Sequence, residues 1–177
     1  MKVYLDGDSC PRSVREFAAK SCQRYAIPLF CIANRPIPFD EPGTVILQVV
    51  STHEGAADDA LTEQALPGDL VLTRDIPLAA RLVERGVMVI NDRGTIYTRE
   101  NVRERLSVRN FMADLRASGL QADTTGVWGK KEWEAFVRAW DKVFHRLLKA
   151  TTGVAKDDKA QKVPAVPTGL DPEPPRE

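Results

Sequence analysis

The stretch VYLDGDSCPRSVREFAAKSC, residues 3–22, combines a short apolar run, a turn with two aspartates and an amphipathic pattern. Residues 3–5 are few, apolar and followed by a glycine-containing turn, which is typical of a buried strand. Pro11 suits the first position of a helix, where its missing N–H costs nothing. Apolar residues then recur at three- and four-residue steps, as in a helix that packs on one side: Val14, Phe17, Ala18 and Cys22. The stretch therefore predicts a strand, a turn and a helix in direct succession.

The same alternation continues to about residue 118. Continuous apolar runs predict further strands at residues 29–32, 44–50, 69–73 and 87–91. Helical patterns predict helices at residues 51–66, 75–86 and 98–118. Continuous apolar strands that alternate with helices indicate βαβ units and a mostly parallel sheet covered on both faces. The predicted fold class is α/β, with a central sheet flanked by helices.

The chain is expected to form one domain over residues 1–150, because its length is that of a single core. Residues 118–129 are an expected linker, and residues 130–149 an amphipathic C-terminal helix whose aromatic side chains pack on the body. Residues 151–177 contain five prolines and few large apolar side chains. This segment is expected to be a disordered tail, since it buries too little to offset its ordering entropy.

The overall composition is that of an ordinary globular protein. The 25 basic and 25 acidic residues give a net charge of zero, so no global charge indicates a nucleic-acid binder. The three cysteines, Cys10, Cys22 and Cys31, have spacings that argue against a disulfide framework and a zinc knuckle. With no signal-peptide pattern and no apolar run of membrane-spanning length, we expect a cytoplasmic protein with no membrane partner.

Aspartates follow the predicted strands at the edge where parallel sheets bind their ligands. They are Asp6, Asp8, Asp58, Asp59 and Asp75, with Asp92 after a further strand. Two carboxylates 4 Å apart repel by about 4 kcal/mol at an effective dielectric of 20. The remedies are a raised pKa, a paired basic side chain or a divalent cation. Hard oxygen ligands with open positions suit Mg²⁺ or Mn²⁺, so these aspartates are candidate metal ligands.

Taken singly, most of these acids have a simpler explanation. Asp75 precedes a helical pattern and is a candidate N-cap. Asp58 and Asp59 in a first helical turn complement the helix dipole. Asp92, in the sequence Asn91–Gly94, is most simply a turn residue. The convergence of the acids at one edge, rather than any one of them, favours a metal site.

Four motifs occur in an order that resembles the YaiI/YqxD family of bacterial proteins, which is assigned to the PIN-like fold. The resemblance extends over about residues 1–145 and includes residues 109–112 and 130–131. The motifs are Asp6–Pro11, Ala57–Asp59, Gly68–Asp69 with Thr73–Ala79, and Asn91–Gly94. The fold that the resemblance implies is a three-layer PIN-like one.

The resemblance also implies an activity, because PIN-like domains are typically metal-dependent ribonucleases. Asp6 would be the central ligand and Asp75 the second, with Asp8, Asp58 or Asp59 completing the shell around Mg²⁺ or Mn²⁺. The catalytic set would be Asp6, Asp8 and Asp75, and the partner would be RNA. Since such domains often dimerise, a homodimer is compatible with the resemblance, which leaves the oligomeric state open. The family commonly has alanine where this chain has Arg74, and tends to have proline where it has Asp92.

Candidate substrate-binding residues lie near the acids in the sequence or at strand ends. Arg12, Arg15 and Arg74 are basic and close in sequence to the aspartates. Asn34 and Asn91 each follow a predicted strand and are candidate hydrogen-bond donors. Together with a metal, these residues would hold a phosphodiester for hydrolysis.

Two other classes remain open. LDGDSC, residues 5–10, also resembles the opening of haloacid-dehalogenase-like phosphatases, but those enzymes need a later lysine and residues 21–129 contain none. The second class is an RNA- or partner-binding module with a degenerate metal site, favoured by basic residues of the last helix. They are Lys130, Lys131, Arg138, Lys142, Arg146 and Lys149.

Overall fold

The computed structural model describes residues 1–40, 42–118 and 128–152. The predicted disordered tail lies outside the described residues except for its first two, and most of the predicted linker lies outside them too. The elements in chain order are β1 (Val3–Asp6), α1 (Arg12–Arg24), β2 (Leu29–Ala33), β3 (Val45–Val49), α2 (Ala56–Gln64), β4 (Leu70–Leu72), α3 (Ile76–Glu84), β5 (Met88–Ile90), β6 (Ile96–Tyr97), α4 (Arg99–Ala117) and α5 (Lys130–Thr152).

The six strands form one sheet in the order β3-β2-β1-β4-β5-β6. Strands β1 to β5 pair in parallel, whereas β6 is antiparallel to β5. The chain builds the sheet outward from β1 in one direction and then returns to build it from β1 in the other. This topology confirms the predicted α/β class with a mostly parallel central sheet.

Helices cover both faces of the sheet, as predicted. On β1, Val3 and Leu5 face a core that α1 and α5 complete, while Tyr4 faces a second core with Leu61 of α2 and Leu78 of α3. Alternate residues of a strand point to opposite faces, so β1 contributes to both cores. α4 packs against α3 and buries only Val102 fully.

Aromatic side chains of α5 pack inward. Phe136 and Trp140 are almost fully buried, and both stand edge-on to Phe17 of α1. Trp140 Nε1 also donates a hydrogen bond to Ser21 Oγ at 2.9 Å. The interpretation of this aromatic stripe as core is confirmed.

The predicted covering of the sheet by helices is incomplete at its edge strand β3. Ile46 and Val49 keep 48% and 50% of their surfaces exposed. The reason is the position of α2, which begins at Ala56 rather than near Ser51 and packs over β1 and β2. β3 is therefore a partly uncovered edge strand. Within the described ranges, no helix combines the length and apolar character needed to cross a membrane.

Candidate functional site

The strand order places the topological switch point of the sheet, where open α/β sheets form their binding crevice, at the carboxyl ends of β1 and β4. β1 connects to β2 on one side, and β4 lies on its other side, so the direction of chain winding reverses between these two strands. Ligands of open α/β sheets bind at such a switch point. Asp6 is the last residue of β1, and Asp75 follows β4 by three residues. The fold thus brings two of the sequence-predicted site residues to one crevice.

Asp6 is a buried carboxylate, with 5% of its surface exposed. Its Oδ2 accepts a hydrogen bond from Thr73 Oγ1 at 2.7 Å. Burial raises the pKa of Asp6, and the nearby Asp75 adds to this, although the Thr73 hydrogen bond opposes the shift. The ionised form of Asp6 is therefore held at a cost that a cation would relieve.

Asp75 caps α3, as the sequence indicated. Its Oδ1 accepts from the backbone N–H of Leu78 at 2.7 Å, and Pro77 occupies the first turn of the helix. The backbone N–H of Asp75 donates in turn to Thr73 Oγ1 at 2.9 Å. The capping role and the position beside Asp6 are compatible, because capping engages one oxygen of the carboxylate.

Asp58 is the third acid of this crevice. It lies in the first turn of α2, and burial, followed by the charges of Asp75 and Asp6, raises its pKa to about 6. Burial is the larger cause of this shift; the charges of Asp75 and Asp6 add to it, and that of Arg81 partly offsets them, so both acids lie within electrostatic range of Asp58. None of the described residues forms an ion pair with Asp6, Asp58 or Asp75. We call these three side chains the acidic cluster.

Two other predicted ligands, Asp8 and Asp59, interact with groups outside the acidic cluster. Asp8 lies beyond the end of β1, is exposed, and accepts from the backbone N–H of Asn34 at 2.7 Å. Its other oxygen is 3.4 Å from Arg35 Nε. Asp59 is exposed and pairs with Arg81 at 2.8 Å. Asp8 and Asp59 therefore each have a basic partner, unlike the acidic cluster.

Asp92 forms an ion pair with Arg74 that the sequence did not indicate, in which the carboxylate is buried and the guanidinium partly exposed. Asp92 is 1% exposed on its side chain, and Arg74 44%. The Asp92 interaction raises the pKa of the Arg74 guanidinium. The backbone N–H of Arg74 also donates to Ser9 Oγ at 3.2 Å, so Arg74 is anchored at the rim of the crevice.

The other residues predicted to contact the substrate differ in whether their polar atoms already have partners within the protein. Arg12 pairs with Asp40 at the exposed surface. Arg15 Nη1 donates to the carbonyl of Cys10 at 2.8 Å, while its buried Nε has no partner. Asn34 Oδ1 is buried and likewise unpartnered. The Asn91 side chain stabilises the turn that it begins, because its Oδ1 accepts hydrogen bonds from the N–H groups of Arg93 and Thr95 at 3.0 and 2.8 Å.

Thr73 is the functional residue that the sequence interpretation missed. Its hydroxyl links the first two acids of the cluster, and it is fully buried. The available signal was its place directly after β4, at the same edge as Asp6. A threonine in a strand pattern is ordinarily assigned to the sheet itself, and this hid its role.

The crevice offers metal ligands of the right chemical kind in an open arrangement. Across residues 1–40, 42–118 and 128–152, no three histidine, cysteine, aspartate or glutamate side chains already stand so as to hold a metal ion. Mg²⁺ ordinarily binds through one or two carboxylates, with waters and substrate phosphates filling the remaining positions. Carboxylates without basic partners fit that mode of binding, and a closed protein cage is not required for it.

A family model described as the uncharacterized BCR, YaiI/YqxD family matches residues 4–146. The chain belongs to the YaiI/YqxD family. The resemblance stated from the sequence motifs is thereby confirmed. The matched range begins in β1 and ends in α5, so all elements of the crevice lie within the part of the chain that defines the YaiI/YqxD family.

Curated relatives cover most of the chain. A UPF0178 protein of Treponema denticola is 45% identical over 149 residues, which are 84% of this chain and 95% of that protein. UPF0178 proteins of Treponema pallidum and Myxococcus xanthus are 43% and 40% identical, again over 84% of this chain and over 84% and 97% of their own. No solved structure matches the chain. These comparisons establish the YaiI/YqxD family.

Proposed function

We propose that the protein is a divalent-metal-dependent ribonuclease that hydrolyses phosphodiester bonds at the acidic cluster. The observation that carries this proposal is the meeting of Asp6, Asp58 and Asp75 at the switch point of the sheet without a basic partner. Like charges gathered at one place repel each other, and binding a divalent cation would relieve this repulsion while the acids stay ionised. The resemblance to PIN-like domains implies the same chemistry, which supports RNA as the substrate.

The cation in this proposal is Mg²⁺ or Mn²⁺, held by Asp6 and Asp75 with Asp58 beside them. A divalent ion supplies Lewis acidity at a phosphoryl oxygen and lowers the pKa of a bound water. The protein contributes the orientation of the ligands. Thr73 fixes Asp6 through its hydroxyl and receives the N–H of Asp75, so the two carboxylates keep one relative position.

Residues around the cluster would orient the substrate. Arg15 has a buried Nε without a partner, and Asn34 a buried Oδ1 without one. Unsatisfied buried polar atoms are costly, and a substrate that bonds to them would remove this cost. Asp8 is the remaining catalytic candidate. It is exposed in the turn that follows β1, and its carboxylate accepts a hydrogen bond from the N–H of Asn34.

A cleavage assay tests the proposal. A labelled single-stranded RNA is incubated with the protein and Mn²⁺, Mg²⁺ or EDTA. We expect cleavage only with metal, its loss in Asp6→Asn and Asp75→Asn, and a reduction in Asp58→Asn. Asp59→Asn is the matched control, because Asp59 is adjacent to Asp58 in α2 but pairs with Arg81. Equal cleavage by wild type and Asp6→Asn would contradict the proposal.

The same variants separate the two alternatives. A haloacid-dehalogenase-like phosphatase would use Asp6 as nucleophile and Asp8 as general acid, and it would hydrolyse p-nitrophenyl phosphate through a phosphoaspartate. A binding module with a degenerate site would retain RNA without cutting it, and Asp6→Asn would leave that binding unchanged. Neither result is expected from a nuclease.

A further inference from the structure

Helix α4 extends well past the helix it packs on. Its 19 residues span about 28 Å, while the nine residues of α3 span about 14 Å. Arg99 at the start of α4 donates to the carbonyl of Glu84 at the end of α3, so the two helices run in opposite directions. The second half of α4 therefore reaches the start of α3, where Asp75 lies, and continues beyond it.

A groove lies between the start of α3 and this second half of α4. Its lining comprises Ile76, Glu104, Arg105, Val108, Arg109, Met112 and Arg116. Three arginines and one glutamate make the lining positive, and the arginines are spaced so that they share one side of α4. Ile76 follows Asp75 in the chain, so the end of the groove at the start of α3 is the one nearest to the acidic cluster, although none of the three acids lines it.

Two apolar side chains of α4 are exposed at or beside the groove: Val108 lines it, and Phe111 lies outside its lining. Val108 and Phe111 keep 53% and 61% of their surfaces exposed, although they are neighbours at three-residue spacing on α4. Single-stranded nucleic acids are bound by basic side chains along the backbone and by aromatic side chains on which bases stack. The arginines of the groove meet the first requirement, and the exposed Phe111, three residues from the lining residue Val108 on α4, offers a ring for the second.

We propose that this groove, between Ile76 and Arg116, binds single-stranded RNA and leads it to the acidic cluster. The proposal rests on the ribonuclease function proposed above and assigns the surface that holds its substrate. Charge complementarity selects the occupant, since three arginines face a polyanion favourably while the adjacent cluster repels it in the absence of a cation. The RNA backbone is therefore held by α4 and enters the cluster only where a metal neutralises the acids.

Binding is measured in EDTA, so that cleavage plays no part. The probe is a fluorescein-labelled oligouridylate, followed by anisotropy at several salt concentrations. We expect Arg105→Gln/Arg109→Gln/Arg116→Gln to weaken binding at least about tenfold and to reduce the salt slope by about 2, given roughly 0.7 per phosphate contact for single strands. Phe111→Ala should weaken binding about fivefold or more through lost stacking.

The matched control removes the same charge elsewhere. The control variant carries Lys20→Gln, Arg24→Gln and Arg85→Gln, three exposed basic residues outside the groove and outside α5, and we expect less than a twofold effect. Equal weakening by both triple variants would overturn the proposal, as would the absence of binding by wild type. A second copy of the chain is the other occupant to test, by sedimentation. If wild type is a dimer and Phe111→Ala is a monomer, the groove is a contact between two copies and the proposal is overturned.

The cleavage assay keeps the two proposals separate. RNA binding that depends on the groove, without cleavage in Mn²⁺, would support the groove and refute the nuclease. Metal-dependent cleavage that the groove variant leaves unchanged, in rate and in KM, would refute the groove and support the nuclease.

Discussion

Thr73 Oγ1 donates a hydrogen bond to Asp6 Oδ2 at 2.7 Å, from the residue that follows β4 to the last residue of β1. The same oxygen accepts from the backbone N–H of Asp75 at 2.9 Å. One buried hydroxyl thus connects two strands and two acids. The relative position of Asp6 and Asp75 is therefore fixed by the Thr73 hydroxyl, in the short connection between β4 and α3.

Thr73→Val should destabilise the protein by about 1.5–3 kcal/mol, the range for a hydrogen bond to a charged group. Valine keeps the shape of threonine but leaves Asp6 without this donor. Urea denaturation near neutral pH measures the change. Thr73→Ser is the control, because it retains the hydroxyl and should regain most of the stability. A Thr73→Val protein as stable as wild type would show that Asp6 does not depend on this bond.

Asp58→Asn should increase the free energy of unfolding above pH 6. The pKa of Asp58 is about 6 in the folded protein and about 4 in an unfolded chain. Above pH 6 the folded state carries the cost of an ionised Asp58, and this cost disappears as the pH falls from 6 to 4. We expect a gain of about 1 kcal/mol near pH 8, reduced by solvent screening of a half-exposed group.

The gain is measured by urea denaturation in EDTA across this pH range. Asp59→Asn is the control and should show at most a small loss, because its surface ion pair with Arg81 contributes little. An Asp58→Asn variant that is less stable than wild type near pH 8 would mean that Asp58 is not held near the other acids.

Gly94→Ala should destabilise the protein far more than Gly68→Ala. Both glycines have positive φ, +80° and +97°, and a side chain there is strained by about 1 kcal/mol. A Cβ at Gly94 would also lie 2.3 Å from the Ala135 carbonyl oxygen in α5, whereas nothing lies within 4 Å of one at Gly68. We expect a difference of about 1–3 kcal/mol from the added overlap, measured by urea denaturation. Equal losses would show that α5 does not approach this turn so closely.

The three cysteines should be inert in the folded protein. All three are free and buried, and burial raises the pKa of the Cys22 and Cys31 thiols to about 12 and that of Cys10 in the same direction. Because the thiolate is the reactive form, a thiol reagent near pH 8 should label none of them until guanidinium chloride unfolds the chain. Rapid labelling of one thiol in the native protein would contradict this burial.

The strands of the inner sheet could be predicted from the sequence because they are continuous apolar runs that end in turns. β6 could not, because it has two residues and depends on the turn that Asn91 stabilises through the N–H groups of Arg93 and Thr95. The exposure of β3 could not be predicted from the sequence either. It depends on where α2 packs, which local sequence does not determine.

The residues of the candidate site could also be predicted only in part. Asp6 and Asp75 follow from strand ends and parallel topology, but Asp58 and Asp59 are adjacent and alike in the sequence. Only the packing of α2 distinguishes them. It brings Asp58 within electrostatic range of Asp75, whereas Asp59 forms an ion pair with Arg81. The Arg74–Asp92 pair depends on the contact of β4 with β5, which no local pattern announces.

A calorimetric titration of Mn²⁺ tests the central claim most directly. It compares wild type with Asp6→Asn/Asp75→Asn at near-physiological salt, after circular dichroism has shown that the variant is folded. We predict that wild type binds Mn²⁺ with micromolar to submillimolar affinity and that the double variant does not. No binding by wild type, or equal binding by both proteins, would contradict a metal site at the acidic cluster.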